Sequence, residues 1–102
     1  MPTLIMLSKL RDDVDPEAYE RWAREVDRPA VLGLPSIDDW TLYRVGGALG
    51  GATAPCDYVE VAEVNDLEQL EHDLSSETAA ELSRALHEYC DPPTFLTSEQ
   101  VA

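Results

Sequence analysis

Asp27, Glu60 and His87 are the residues whose types and settings suit proton transfer, and each stands where packing alone does not ask for it. Asp27 falls late in a helical stretch running from Asp15 to about Leu32, where the negative end of the helix dipole opposes its ionised form. Such a carboxylate either pairs with Arg24 or Arg28 at the surface, or is held in a site where burial shifts its pKa and lets it take or give a proton. Glu60 lies mid-strand in the segment DYVEVAEV, on the same side as Tyr58. A carboxylate there is costly unless paired, and Arg44 on the adjoining strand is the expected partner. His87 lies among Leu82, Leu86 and Tyr89. It is either a packed core or interface histidine or, if its ring reaches a cavity, a general acid or base near neutral pH. His72, among Glu68, Glu71 and Asp73, belongs to the surface.

Aromatic residues would shape the space around these groups. Trp22 shares a three- and four-residue spacing with Tyr19, Ala23, Val26 and Ala30, one apolar helix face, and so is either core or pocket wall. The strand IDDWTLYRV sets Trp40, Leu42 and Arg44 on one face and Thr41, Tyr43 and Val45 on the other. Trp40 and Tyr43 therefore cannot line the same pocket; the expectation is Tyr43 as lining and Trp40 as core or dimer contact. The expected site has Asp27 and His87 as its catalytic groups, with Trp22, Tyr43, Tyr58, Glu60 and Arg28 contacting the ligand.

Other chemistries lack their residues. No His-x-His or Glu-x-x-His pair offers a metal site, Gly-x-Ser-x-Gly is absent, and no flavin or nicotinamide fingerprint occurs. No cofactor is expected. The segment GGALGGATAP has no Lys or Ser/Thr at phosphate-loop spacing and joins two strands, which makes it a hairpin connector or a loop closing over a site. Cys56 and Cys90, without a companion Cys-x-x-Cys, read as free thiols.

The elements that must position these residues follow in order. Thr3 to Leu10 is a buried strand; Asp15 caps the first helix with Pro16 at its first position; Gly33-Leu34-Pro35-Ser36 ends it. Strands at 37–45 and 57–64 follow. Leu67, Leu70 and Leu74, then Ala79, Leu82, Ala85, Leu86 and Tyr89, mark two helices or one broken one, and Thr94 to Thr97 a last strand. The order β-α-β-β-α-β is the ferredoxin-like arrangement, an α+β fold with a four-stranded antiparallel sheet and helices on one face. The other face would then need a cover, and a homodimer supplies it. The 102 residues suit one domain. A net charge of -14 disfavours nucleic acid and anionic membrane surfaces, and a hydrophobic fraction of 44% argues against disorder. With no leader pattern and no apolar run near the ~20 residues that cross a bilayer, a cytoplasmic protein is expected.

The segments DPEAYERWAREVDRPAVLGLPSI, DYVEVAEVNDLEQL and DPPTFLTSE, with the opening strand, resemble the RedY/HapK-like proteins of prodiginine and bisindole biosynthesis, within the dimeric α/β-barrel superfamily. The resemblance covers nearly the whole chain. It implies a dimeric barrel and an indole- or pyrrole-derived aromatic ligand, handled without metal or organic cofactor, by an enzyme or by a binding protein that shields an intermediate. The wider superfamily, with EthD-like proteins and antibiotic-biosynthesis monooxygenases, adds cofactor-free oxygenation. EthD-like members often carry Asp-Val-His-Gly-Pro-Leu where this chain has Glu25-Val26-Asp27-Arg28-Pro29-Ala30, so the resemblance puts Asp27 at the histidine position.

Overall fold

The computed structural model describes residues 2–102. Four strands, β1 (Pro2–Ser8), β2 (Ile37–Arg44), β3 (Tyr58–Val64) and β4 (Thr94–Glu99), form one antiparallel sheet in the order β2-β3-β1-β4. The helices are α1 (Pro16–Trp22), which runs through a π-helical turn (Ala23–Asp27) into α2 (Arg28–Leu32), then α3 (Leu67–Leu74) and α4 (Glu77–Tyr89). This is the expected ferredoxin-like fold, with two separate helices in the second crossover.

Local chemistry explains the helix starts. Asp15 accepts from the Glu17 amide at 3.1 Å, Asp66 from those of Glu68 and Gln69 at 2.9 and 3.3 Å, and Ser76 from that of Ala79 at 3.2 Å. Between α3 and α4, the hydroxyls of Ser75 and Ser76 donate to the carbonyls of His72 and Asp73. Those serines satisfy the end of α3, which is why the apolar pattern breaks there. The buried Asp73 carboxylate accepts from the Ser36 amide at 2.9 Å and Gln69 Nε2 at 2.8 Å, so its pKa falls and α3 is tied to the start of β2.

Strand alternation sorts the sheet into two faces. Toward the helices, Leu4, Met6, Tyr58, Ala62, Val64, Ile37 and Trp40 are buried, with Tyr19, Ala23, Leu70, Leu86 and Cys90 packed on them. Tyr19 and Tyr58 meet edge to face with ring centres 4.8 Å apart, and Trp22 stacks on Tyr89 at 5.4 Å. On the opposite face the register aligns Tyr43, Val59, Leu7 and Thr94 in one row and Thr41, Val61, Ile5 and Leu96 in the next. None of these eight is fully buried, so the open face is a continuous, largely apolar surface. Cys56 and Cys90 are buried free thiols, as expected. No helix among the described residues is long and apolar enough to cross a membrane.

One prediction of periodicity fails. Val26, expected on the apolar face of the first helix, is 49% exposed, whereas Asp27 next to it is 8% exposed. The cause is the π turn, in which the Arg28 amide reaches back five residues to the Ala23 carbonyl. Pro29 accounts for it: it offers no amide to the Glu25 carbonyl and its ring crowds that carbonyl, so the turn opens by one residue. The extra residue rotates the following side chains, taking Val26 out and bringing Asp27 in.

Candidate active site

Between the sheet and the helices lies a cavity of about 320 Å³. Its walls include Trp22, Val31, Trp40, Leu70, Leu82, Leu86 and Phe95, and its polar members are Asp27, Glu60, Ser83 and His87. An apolar chamber with a few convergent polar groups is the usual form of a small-molecule site.

Asp27 enters from the π turn, Glu60 from the centre of β3. Glu60 is 8% exposed and its sheet neighbours are Leu42 on one side and Met6 on the other, with Phe95 beyond Met6. The expected ion pair with Arg44 does not form. Arg44 lies opposite Tyr58, one side-chain row away, and its guanidinium grips Glu20 on α1 through Nε at 2.8 Å and Nη2 at 2.5 Å. Asp27 likewise makes no salt bridge with Arg24 or Arg28; Arg24 lies 3.9 Å from Glu20, and Arg28 donates to the Trp40 carbonyl.

The site therefore holds two carboxyl groups with no cation to neutralise them. Burial pushes Asp27 up to about 6. Burial, and then the neighbouring Asp27 charge, push Glu60 up to about 7, offset in part by the Trp40 indole. The buried Trp40 Nε1 leans toward that carboxyl without hydrogen-bond geometry to any protein acceptor. The two acids titrate as a pair, and close to neutral pH the pair holds about one proton, so one member can give a proton while the other takes one.

The family model described as REDY-like protein HapK matches residues 2–101. The chain belongs to this family. Among solved structures, HapK from Hahella chejuensis is 30% identical, with 99% of this chain and 93% of that one covered and a TM-score of 0.83. A dimeric ferredoxin-like protein of unknown function from Thermobifida fusca is 14% identical over 97% and 90% of the two chains, TM-score 0.71. The crystal structure of an antibiotic biosynthesis monooxygenase is 17% identical over the full length of both, TM-score 0.71. These last two share the fold. No curated protein matches the chain.

In this REDY-like protein, the cavity brings together Asp27, Glu60, His87 and Trp22 of the residues expected from the sequence. His87 is exposed rather than core, at the edge of the cavity. Three others lie elsewhere. Tyr43 is 57% exposed on the open sheet face, because the alternation of β2 turns it away from the helices, and Trp40 takes the lining position expected of it. Tyr58 and Arg28 line a separate cleft alongside. No residue of the glycine-rich connector lines either space; it forms a short 3-10 turn at Leu49–Gly51 with Leu49 fully exposed. Glu20, which the sequence reading passed over, is the hub of that second cleft: it accepts from Arg44 and from the Tyr58 hydroxyl at 2.6 Å, and these bonds hold its pKa down to about 2. An acidic residue in the first turns of a helix is ordinary dipole chemistry, so nothing in the sequence marked it out.

Proposed function

We propose that this protein is a homodimeric enzyme of secondary metabolism that takes an indole- or pyrrole-derived intermediate into the cavity and steers its fate by proton transfer between Asp27 and Glu60, without a cofactor. The observation that supports this most is the pair of uncompensated buried carboxyls facing an apolar, tryptophan-walled chamber. Membership of the REDY-like family supports the secondary-metabolite role. An aromatic ring lying against Trp22 and Trp40 would place its ring N–H or carbonyl near the acids, and His87 at the edge would relay protons to solvent. The same chamber without turnover would make a shield for a reactive intermediate. Incubation of the protein in D2O with bisindole or bipyrrole intermediates separates the two: protein-dependent deuterium incorporation, or a protein-dependent change of product, is expected. Mere protection of the compound in proportion to its occupancy of the cavity would replace catalysis by shielding.

The homodimer rests on the open sheet face. An apolar surface of this kind exposed on a monomer is rare, and a second copy covers it by symmetry. Sedimentation at micromolar concentration should give twice the 11.3 kDa chain mass. Val61→Glu, which puts a charge at the centre of that face beside Ile5 and Thr41, is expected to give a folded monomer. A wild-type chain sedimenting as a monomer would end the dimer proposal.

A further inference from the structure

The second cleft is chemically unlike the rest of the molecule. The chain has 21 acidic and 7 basic residues, yet three of those seven, Arg24, Arg28 and Arg44, converge on one cleft of about 370 Å³ in which Glu20 is the only acid. It opens between α1, the π turn and α2 on one side and β2 on the other. Three guanidinium groups against one carboxylate leave it with a charge of about +2 inside a protein whose overall charge repels anions.

Two of the three cations are held in place. Arg44 is fixed by its two bonds to Glu20, which the Tyr58 hydroxyl also holds, and Arg28 by its bond to the Trp40 carbonyl. Each uses only part of the five donors of a guanidinium. Arg24 has only the 3.9 Å contact to Glu20 and a side chain 69% exposed, so its donors face solvent. The remaining wall is mostly apolar, Ala23, Leu42 and Trp40, with Thr41 between the last two. The cleft volume is more than twice the ~150 Å³ that admits a benzene molecule.

We infer that this cleft is a binding site for a small organic carboxylate, with its carboxylate between Arg24 and Arg28 and its apolar body against Ala23, Leu42 and Trp40. Planar guanidinium forks match a carboxylate in two-bond geometry, and Glu20 on Arg44 shows that pairing within the fold. An inorganic dianion would leave the apolar wall unused. The inference goes beyond the catalytic reading and does not depend on it. The two spaces meet at Trp40, which lines both, so an occupant of the cleft would press on the wall of the carboxyl cavity.

The experiment is a titration of the full chain with phenylacetate, 2-phenylethanol and inorganic phosphate, followed through backbone and arginine Nε–H NMR signals. Phenylacetate is expected to give saturable shifts at Ala23, Arg24, Arg28, Thr41 and Leu42, with at least ten-fold weaker binding of 2-phenylethanol and of phosphate. Arg24→Gln should weaken phenylacetate binding about three- to ten-fold, and Arg24→Gln with Arg28→Gln by more, while Arg84→Gln on α4 leaves it unchanged. Because Arg28 also anchors the Trp40 carbonyl, the exposed Arg24 variant carries the test if the double variant unfolds. Equal binding of the neutral analogue, phosphate binding as tightly as phenylacetate, indifference to Arg24→Gln, or shifts confined to Asp27, Glu60 and His87 would each overturn the inference.

Discussion

Asp27→Asn and Glu60→Gln are each expected to slow product formation by ~10²- to 10⁴-fold while leaving ligand binding nearly intact, the range typical of a lost general acid or base. The substitutions keep volume and hydrogen-bonding capacity, so the cavity survives and only proton exchange is removed. The loss should fall on kcat and kcat/KM together, as for an interaction made in the transition state. The rate should follow a bell-shaped pH profile with its maximum between about 6 and 7, where the pair holds one proton. Each variant should flatten one limb of that profile. His87→Gln, at the exposed edge, should cost less than either carboxyl. Full activity in both carboxyl variants would remove the pair from the chemistry; a fall in affinity with unchanged kcat would make it a binding element.

The same pair should make the fold less stable as pH rises from about 4 to 7 and more. In the unfolded chain Asp27 and Glu60 titrate near their ordinary values of 3.8 and 4.5; folded, they hold their protons to about 6 and 7. Through that window the folded state binds more protons than the unfolded one, so stability is greatest at its acid end and is lost as pH climbs. At about 1.4 kcal/mol for each tenfold shift in proton affinity, each carboxyl contributes on the order of 3 kcal/mol, less where the two share a proton. A loss of that size lowers the melting temperature by roughly 10–20 °C in a domain of this length. Thermal unfolding of the wild type at pH 5 and pH 8 should show it. The rest of the acidic surface also repels itself more as pH rises, so the readout is the difference from Asp27→Asn/Glu60→Gln, which should melt higher than wild type at pH 8 and depend less on pH. Parallel curves for the two proteins would show that the carboxyls are not buried as charged groups. Glu20 acts in the opposite sense and in another window: its pKa is lowered to about 2, so its contribution is present above pH 4.5 and lost below.

Much of this was legible in the chain. Helix starts depend on residues adjacent in sequence, and Asp15-Pro16 announces the first. Strand faces depend on a period of two, so the placement of Glu60 on the same side of its strand as Tyr58 holds in the structure. Family membership was legible too, because those core and turn residues recur along nearly the whole length. Asp27 and Glu60 stood out as charges placed where a helix end or a mid-strand position disfavours them.

Partnership between elements was not legible. Arg44 and Glu60 lie on paired strands and on one face, but only the register tells that Arg44 stands opposite Tyr58 and reaches Glu20, leaving Glu60 without a cation. The rotation of the helix past Ala23 was hidden as well, since a period of 3.6 carries Val26 inward until Pro29 opens the turn. The sequence by itself determined which elements form, their order and the apolar face each turns to the core, because these follow from local hydrogen bonding and from the spacing of side chains along one segment. Only the tertiary structure decided that Asp27 and Glu60 share one largely apolar cavity and that three arginines gather beside it. Desolvation and charge coupling depend on distances between segments far apart in the chain, and those distances exist only once the sheet has paired and the helices have packed on it.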